Sequence, residues 1–355
     1  MNRRRFFKVS ATAAAGFALP GITQAQVANP SWRTFKLSYD IELPGESAPA
    51  QVWLPIPETQ ISYQQAMGGV WRGTAEEGEF REEPSYGAGY FYARWRKTIP
   101  YTAEITTHFR TADRTVDLSA YQPQSRTRIP VSVAKFMRPT RHMPQDGIVL
   151  ATAKEITRGA THPLEKARAI YDWVVDNTFR DPKIQGCGRG DIKFMLESGN
   201  LGGKCADINS LFVGLARTAG IPAREKFGIR VADSALFKSL GTTGDISKAQ
   251  HCRAEFYLAG LGWVPVDPAD IRKAVLEENL SITDPQIRAL REKLFGSWEM
   301  NWVGFNHGRD FSMLPRHASS SLNFFMYPHG EVAGVPRESL DPPSFKYKII
   351  ATELV

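Results

Sequence analysis

The sequence predicts an α+β fold, and three observations predict it. Strand-like alternation dominates roughly residues 30–125, helical spacing takes over between 163 and 220, and strand patterns return from 223 onward. Helices gathered in one stretch, rather than alternating with single strands, point away from a doubly wound parallel sheet. The chain has 355 residues, 42% of them hydrophobic and 23% charged, an ordinary globular balance and enough for two domains with real cores.

The first region is built from alternating runs. "WRTFKLSYDIEL" (32–43), "AQVWLPIP" (50–57, stopped by its prolines), "GYFYARWRKTI" (89–99) and "AEITTHFRT" (103–111) each read as strands, with turn-rich stretches between them. Together they predict an all-β, sandwich-like domain over 30–125, ended by the linker "SAYQPQSRTRIP". A second domain over 130–355 opens with helices. "PLEKARAIYDWVVDNTF" (163–179) starts with Pro163 at a first helical position and spaces Leu164, Ala167, Ile170, Tyr171 and Val174 along one face. "GGKCADINSLFVGLARTAGIPAR" (202–224) carries a stripe of Ile208, Leu211, Phe212, Leu215 and Ala219, with Gly220 as the expected C-terminal cap. "AREKFGIRV" reads as a strand, and "HCRAEFYLAGLGWVPVDPAD" (251–270) as two strands around a turn at Ala259–Leu261. Asp284 and Pro285 mark a further helix start, and strands are expected near "LNFFMYP" and "FKYKIIATEL".

Residues 1–25 have the layout of a twin-arginine signal peptide. Arg3 and Arg4 precede Phe6, Phe7 and Lys8, then comes a modest Ala-rich apolar run, with cleavage expected after Ala25 or, second, Ala28. The run is too short and too rich in small residues to span a bilayer comfortably, and no later stretch has eighteen consecutive apolar residues. The mature protein is thus expected to be periplasmic or otherwise exported, and free of the membrane. The whole chain carries +7, of which Arg3, Arg4, Arg5 and Lys8 supply four charges, leaving +3 for the mature part. With no basic block interleaved with aromatics, nucleic acid is excluded as a partner.

There are three cysteines, an odd number too small to hold an exported protein of this size together. Cys205 differs from the other two in its setting. Two glycines and Lys204 precede it, and it opens the long apolar helix. The first N–H groups of a helix lack internal partners and its dipole favours negative charge, so a thiol there is drawn toward thiolate, the reactive form. The Cys205 N–H is also placed to serve as one arm of an oxyanion hole. A lone buried cysteine is more often core than nucleophile, so its company decides. A thiolate needs a base that can reprotonate a leaving amine, and imidazole does both. His251 opens a strand and Asp267 lies on the strand that returns. If Leu258 pairs with Gly262, Arg253 faces Asp267 directly and His251 is its diagonal neighbour on the same face.

The order of "GGKCAD", "GIPAR" and "HCRAEFYLAGLGWVPVDPAD" resembles the transglutaminase-like superfamily, over roughly residues 150–270. The resemblance implies a papain-like α+β transglutaminase core, with Cys205 as nucleophile, His251 as general base and acid, and Asp267 as the orienting carboxylate. It also implies that Asp207 favours the helix start. The β region in front looks like the N-terminal domain common in bacterial members. Arg253 stands where the family often has an aromatic. Gln185, in the loop before the nucleophile, is the candidate for the side-chain arm of the oxyanion hole, against the plainer reading of an exposed loop glutamine. Asp270 is a rival to Asp267. Cys252 should point away from His251 into the core. Cys187 is read as structural, with modulation of the nucleophile by reversible oxidation as the alternative. His307 and His329 are read as structural or cleft-lining, and Trp263 as packing beside the triad.

The implied function is that of an exported cysteine acyl-transfer enzyme acting through a thioester. Water as acceptor would make it a protease or amidase, and an amine would make it a transglutaminase; the abundance of water favours hydrolysis. Protein or peptide substrates are expected, with peptidoglycan peptides among the candidates. The alternative is a catalytically inactive module of the same fold that binds a partner or serves cell-envelope assembly. No cysteine pair has zinc-ligand spacing and no EF-hand loop is visible, so neither metal nor cofactor is expected.

Overall fold

Alternation in the first hundred residues builds two facing sheets. The computed structural model describes residues 31–45, 47–59, 61–97, 99–123, 128–315 and 321–354; the expected signal segment lies outside them. Strands β1 (Arg33–Leu43), β2 (Ala50–Pro55), β3 (Gln64–Gly73), β4 (Glu77–Glu83), β5 (Ala88–Trp95) and β6 (Tyr101–Thr111) come first. Phe35, Leu37, Tyr39 and Ile41 of β1 are all buried while the residues between them are not, which is the period-two signature of a half-buried strand. They share one core with Val52, Leu54, Phe91, Ala93 and Trp95 of the other sheet. Trp71 meets Phe91 across the gap at 5.6 Å between ring centroids, and the Tyr39 hydroxyl donates to the Pro55 carbonyl at 2.7 Å. The sandwich-like arrangement expected from the sequence is therefore present. β3 and β4 were not legible among the turn-rich stretches because nearly all their side chains are partly or fully exposed, so no apolar period marks them.

Helices α1 (Gly147–Ile156), α2 (Pro163–Asn177), α3 (Ile192–Ser198) and α4 (Cys205–Thr218) follow. Next come β7 (Ala223–Arg230), β8 (Gln250–Leu258), β9 (Gly262–Val266), α5 (Pro268–Glu277), α6 (Pro285–Lys293) and β10 (Trp302–Asn306). The chain ends on β11 (His329–Val332), β12 (Val335–Arg337) and β13 (Lys346–Leu354). Among the described residues no helix is long and apolar enough to cross a membrane.

The two ends of the chain meet in the sandwich. β13 pairs antiparallel with β1 along its length, and β11 pairs with β2. One sheet runs in the order β13, β1, β6, β3, with Gly244 and Asp245 added beyond β13; the other runs β12, β11, β2, β5, β4. Residues 31 onward accordingly form one compact unit, and strands from beyond residue 325 complete a sandwich that the sequence reading had ended at 125. The strand expected at "LNFFMYP" is irregular chain, and regular pairing begins only at His329.

The second sheet system has the order β9, β8, β7, β10, and α4 packs on it. α4 is buried nearly all round, which is why its hydrophobic stripe is flanked by Ala, Gly, Ser and Asn, with charges only at its ends, Asp207 and Arg217. Its end is a Schellman motif. Gly220 adopts φ +85, its N–H donates to the Arg217 carbonyl, and Ile221 N–H donates to Ala216. α5 was missed by sequence reading because it starts directly where β9 stops. The Asp267–Pro268 pair that closes the hairpin is also the N-cap and first residue of this helix.

Glu255 on β8 ties the two halves together. Its buried carboxylate accepts Arg224 of β7 at 2.7 Å and also pairs with Arg114, which follows β6. Burial raises this carboxyl, but the two guanidiniums outweigh burial and hold it at about 2. Folding thus lowers the group, so its stabilisation is complete above the ordinary carboxylate range and is lost as pH falls toward 2. Glu255→Gln should cost about 3 kcal/mol near neutrality, since it leaves two arginines facing a neutral amide. The difference from wild type in urea unfolding should shrink between about pH 5 and pH 2; a gap that stays constant with pH would contradict this account.

Candidate active site

α4 holds Cys205 in its first turn. The N-cap, Lys204, is extended and offers no side-chain acceptor to the helix end. Asp207 compensates: its carboxylate accepts the Lys204 N–H at 2.9 Å, half of a capping box. The same carboxylate accepts the N–H groups of Arg189 and Gly190 at 2.9 and 2.8 Å. Asp207 thus supports the helix start and also fastens the preceding loop. That loop passes only as glycine at 188, where φ is +87 and a Cβ would stand 1.8 Å from Asp207 Oδ2. Ala206 N–H donates to the Cys187 carbonyl at 2.9 Å. The Cys205 N–H has no backbone acceptor among the described residues and remains a helix-end donor beside its own sulfur.

β8 and β9 carry the other two groups. Leu258 pairs with Gly262 and Ala254 with Val266, the register expected from the sequence, which makes Arg253 and Asp267 the next facing positions. His251 Nε2 lies 2.7 Å from Asp267 Oδ2. Asp270 Oδ1 is 3.4 Å from the same nitrogen but is bound by the Arg230 guanidinium. Of the two rival carboxylates, Asp267 takes the histidine. Its second oxygen accepts Asn209 Nδ2 of α4 and the Asp270 N–H, both at 3.2 Å. With Nε2 committed to Asp267, Nδ1 is the nitrogen left to interact with Cys205. In the neutral ring the tautomer follows: Nε2–H donates to the carboxylate, which leaves Nδ1 to take up the thiol proton.

The backbone of His251 is fixed from behind. Trp302 Nε1 donates to the His251 carbonyl at 2.9 Å. Its ring lies against Gly228, the residue paired with His251 on β7, where a Cβ would stand 2.5 Å from the indole. Arg253 does not wall a pocket in place of an aromatic. It is buried against the rings of Trp302 and Trp298 at 5.0 and 5.5 Å, with its Nε 3.5 Å from Asp267 Oδ2. Trp263, expected beside the triad, packs instead on Arg224, Phe136 and Tyr257; Trp298 and Trp302 are the indoles behind the histidine strand.

The electrostatics favour a charged pair. Burial opposes ionisation of Cys205, yet hydrogen-bonding interactions with Cys187, Cys252 and His251 bring its thiol well below the ordinary range. Burial and Arg230 lower His251, but Asp270 and Asp267 outweigh them and raise it. Cys187 and Cys252 move the other way. Interaction with Cys205, then burial, raises Cys187, and burial followed by Cys205 raises Cys252. The shifts thus run in opposite directions: Cys205 toward ionisation, and Cys187, whose Sγ lies 3.2 Å from the Gln250 carbonyl, and Cys252 away from it. Cys252 is indeed fully buried, as expected, but it takes part in this cluster rather than only filling core. Burial raises Asp270 as well, but Arg230 more than offsets it and holds that carboxyl far below its usual value, as a fixed negative charge.

Cys205 and His251 line a cavity of about 580 Å³, together with Gln185, Cys187 and Lys204. Asp267 lies behind His251, fully buried. Gln185 is exposed at the cavity edge. His307 and His329 do not line this cavity. His307 sits between Tyr86 and Phe136 near Glu58, where burial draws it down to about 4, and His329 packs on Phe325. Sequence reading passed over Tyr327, which lines the cavity near Cys187, and Arg230, which keeps Asp270 off the histidine. Neither sits in a local motif that could have flagged it. The ligand atoms of His251, Asp267 and Asp270 lie within 4.8 Å of one another, a spacing open to a cation. Here Arg230 and Arg253 already neutralise both carboxylates and the imidazole occupies the space between, so the donor set fits a shared proton better than a metal ion.

A family model described as the transglutaminase-like superfamily matches residues 150–268. An uncharacterised protein of Haemophilus influenzae is 40% identical over 336 residues, covering 90% of this chain and 91% of its own length. Among solved structures, a presumed cysteine protease from Cytophaga hutchinsonii superposes with a TM-score of 0.57 at 15% identity, covering 92% of each chain, which shows the fold alone. The periplasmic domain of TgpA from Pseudomonas aeruginosa is a remoter likeness, at a TM-score of 0.36 and 13% identity over 71% of this chain and 92% of that domain. The chain belongs to the transglutaminase-like superfamily.

A charged pair at Cys205 has a direct signature. Iodoacetamide at about pH 6 should alkylate Cys205 well ahead of Cys187 and Cys252, read by peptide mass spectrometry. His251→Ala should remove that selectivity. Equal, slow modification of all three cysteines would contradict the assignment of the thiolate.

Proposed function

We propose that this chain is an exported cysteine acyl-transfer enzyme that cleaves an amide bond through a Cys205 thioester, with water as the acceptor. One observation carries the reading: a helix-end thiol, an imidazole and a buried carboxylate are joined in sequence, with the thiol and the imidazole open to one cavity. The fold, shared with a presumed cysteine protease, supports the same class of chemistry.

The steps follow from the groups present. The Cys205 thiolate attacks the carbonyl carbon of a peptide or carboxamide. Charge builds on the carbonyl oxygen, which the free Cys205 N–H meets, with the Gln185 side chain at the cavity edge as the second donor. His251 Nδ1–H gives its proton to the departing amine, leaving a neutral imidazole beside a thioester. Water then enters. Its proton goes to Nδ1 as the hydroxyl adds to the thioester, and collapse of that adduct releases the acid and restores the thiolate–imidazolium pair. Asp267 holds Nε2–H throughout, so the ring presents the same nitrogen in both half-reactions. The residues that position these groups would serve an amine acceptor equally well; water needs no binding site of its own. The substrate is a protein or peptide, with peptidoglycan peptides among the candidates. Export rests on the Arg3–Arg4 signal layout at the start of the chain.

The test is capture of the acyl-enzyme. Incubation with a mixed peptide library containing glutamine, followed by rapid acid quench and mass spectrometry, should find acyl adducts on Cys205. The free acid should accumulate on longer incubation. Cys205→Ala should abolish turnover, and Asp267→Asn should lower kcat/KM by at least about 10³-fold, because the amide stabilises the wrong tautomer. Turnover that survives Cys205→Ala, or products formed only when an amine is added, would overturn the hydrolytic reading.

A further inference from the structure

The cavity beside Cys205 is lopsided in charge. Six of its lining residues are basic: Arg180, Lys204, Arg230, Lys248, Lys273 and Lys346. One, Asp245, is acidic. Three of the cations are already spent within the protein. Arg230 is paired with Asp270, Lys273 with Glu277, and Lys346 with Glu42 at 2.9 Å. Arg180 and Lys204 have no carboxylate partner among the described residues, and Lys248 has only a share of Asp245. Asp245 offsets at most one of them: its oxygen accepts the N–H and hydroxyl of Ser247 at 3.1 and 2.6 Å, and its single charge is shared between Lys348 and Lys248.

Arg180 and Lys204 are half-buried, and Lys248 is exposed at the cavity edge. Arg180 lies on a short pairing with Gly203, one residue before the N-cap of α4. Lys204 is that N-cap. Lys248 stands three residues before His251 and lines the same cavity. The nucleophile side therefore offers two cations without a carboxylate partner, and the histidine side a third that shares Asp245 with Lys348. The thiolate itself is already matched by His251, so it does not account for this surplus.

We propose that the cavity selects acidic peptides, with substrate carboxylates near the scissile amide held by Arg180 and Lys204 on one side and Lys248 on the other. This rests on Cys205 being the nucleophile and names the class of acyl donor it receives. Guanidinium at 180 suits a bidentate carboxylate contact, while the two ammonium groups act as point charges.

Two alkylating reagents of nearly equal size separate charge from reactivity. Iodoacetate is an anion and iodoacetamide is neutral, and both report on the same sulfur. In the full chain at low salt, the ratio of iodoacetate to iodoacetamide rates at Cys205 should fall at least about fivefold in the Arg180→Gln/Lys248→Gln double variant. In wild type the ratio should also fall on raising salt. A ratio indifferent to both changes would overturn the proposal. A second arm needs no nucleophile: calorimetry on the Cys205→Ala chain should show the acetylated, amidated tripeptide Glu-Gln-Glu binding at least about tenfold tighter than Lys-Gln-Lys. Equal affinities, or preference for the basic peptide, would likewise overturn it. Should Cys205 fail to alkylate selectively while the acidic peptide is still preferred, the acyl-transfer reading falls and the anion-binding cleft stands.

Discussion

One buried carboxylate organises the site. Asp267 gives one oxygen to His251 and turns the other to Asn209 of α4 and to the first turn of α5. Three elements that carry or support the reactive groups are thereby fixed to a single residue that has no solvent contact. Such a group is costly to bury alone. Its cost is met by the imidazole, by Arg253 at 3.5 Å and by the helix N-terminus it caps. The distance between thiol and imidazole is a consequence of that arrangement, because α4 and β8 are tied to the same carboxylate.

The neighbouring ion pairs keep the charge assignment unambiguous. Arg230 binds Asp270 and leaves Asp267 as the carboxylate hydrogen-bonded to His251, while both acids raise the imidazole. Farther along α4, Ser210 and Arg309 both bond to Glu225, and Arg309 also reaches the carbonyls of Arg189 and Gly190. The loop before Cys205 is thus held from one side by Asp207 and from the other by Arg309. The field of a helix end acts only within its first turn, so the loop that fixes the position of Cys205 also fixes its electrostatic setting.

Much of this was legible in the sequence, and for identifiable reasons. The helix from Cys205 announced itself by glycines before, glycine after and an apolar run between. The hairpin register followed from one turn assignment, and it placed His251 and Asp267 on the same face. Other parts could not be read. β3 and β4 are exposed and lack an apolar period. α5 hid because Asp267 ends one element and caps the next. The convergence of Cys187, Cys252 and Cys205 joins a loop, a strand and a helix start that share no local pattern, and Tyr327 and Arg230 reach the site only through the fold. Trp263, expected beside the triad, lies farther along its strand than Asp267 and packs on Arg224, Phe136 and Tyr257.

The partnership of β1 with β13 carries a cost in time. More than three hundred residues separate the two strands, and until the later one emerges β1 has a neighbour on one side only. Its free edge is a row of unanswered amides and carbonyls alternating with Phe35, Leu37, Tyr39 and Ile41, the kind of surface on which another chain can nucleate. Residues 346–354 must therefore be made before that edge of β1 is sheltered, and the half-made sheet stays open to wrong partners in the interval.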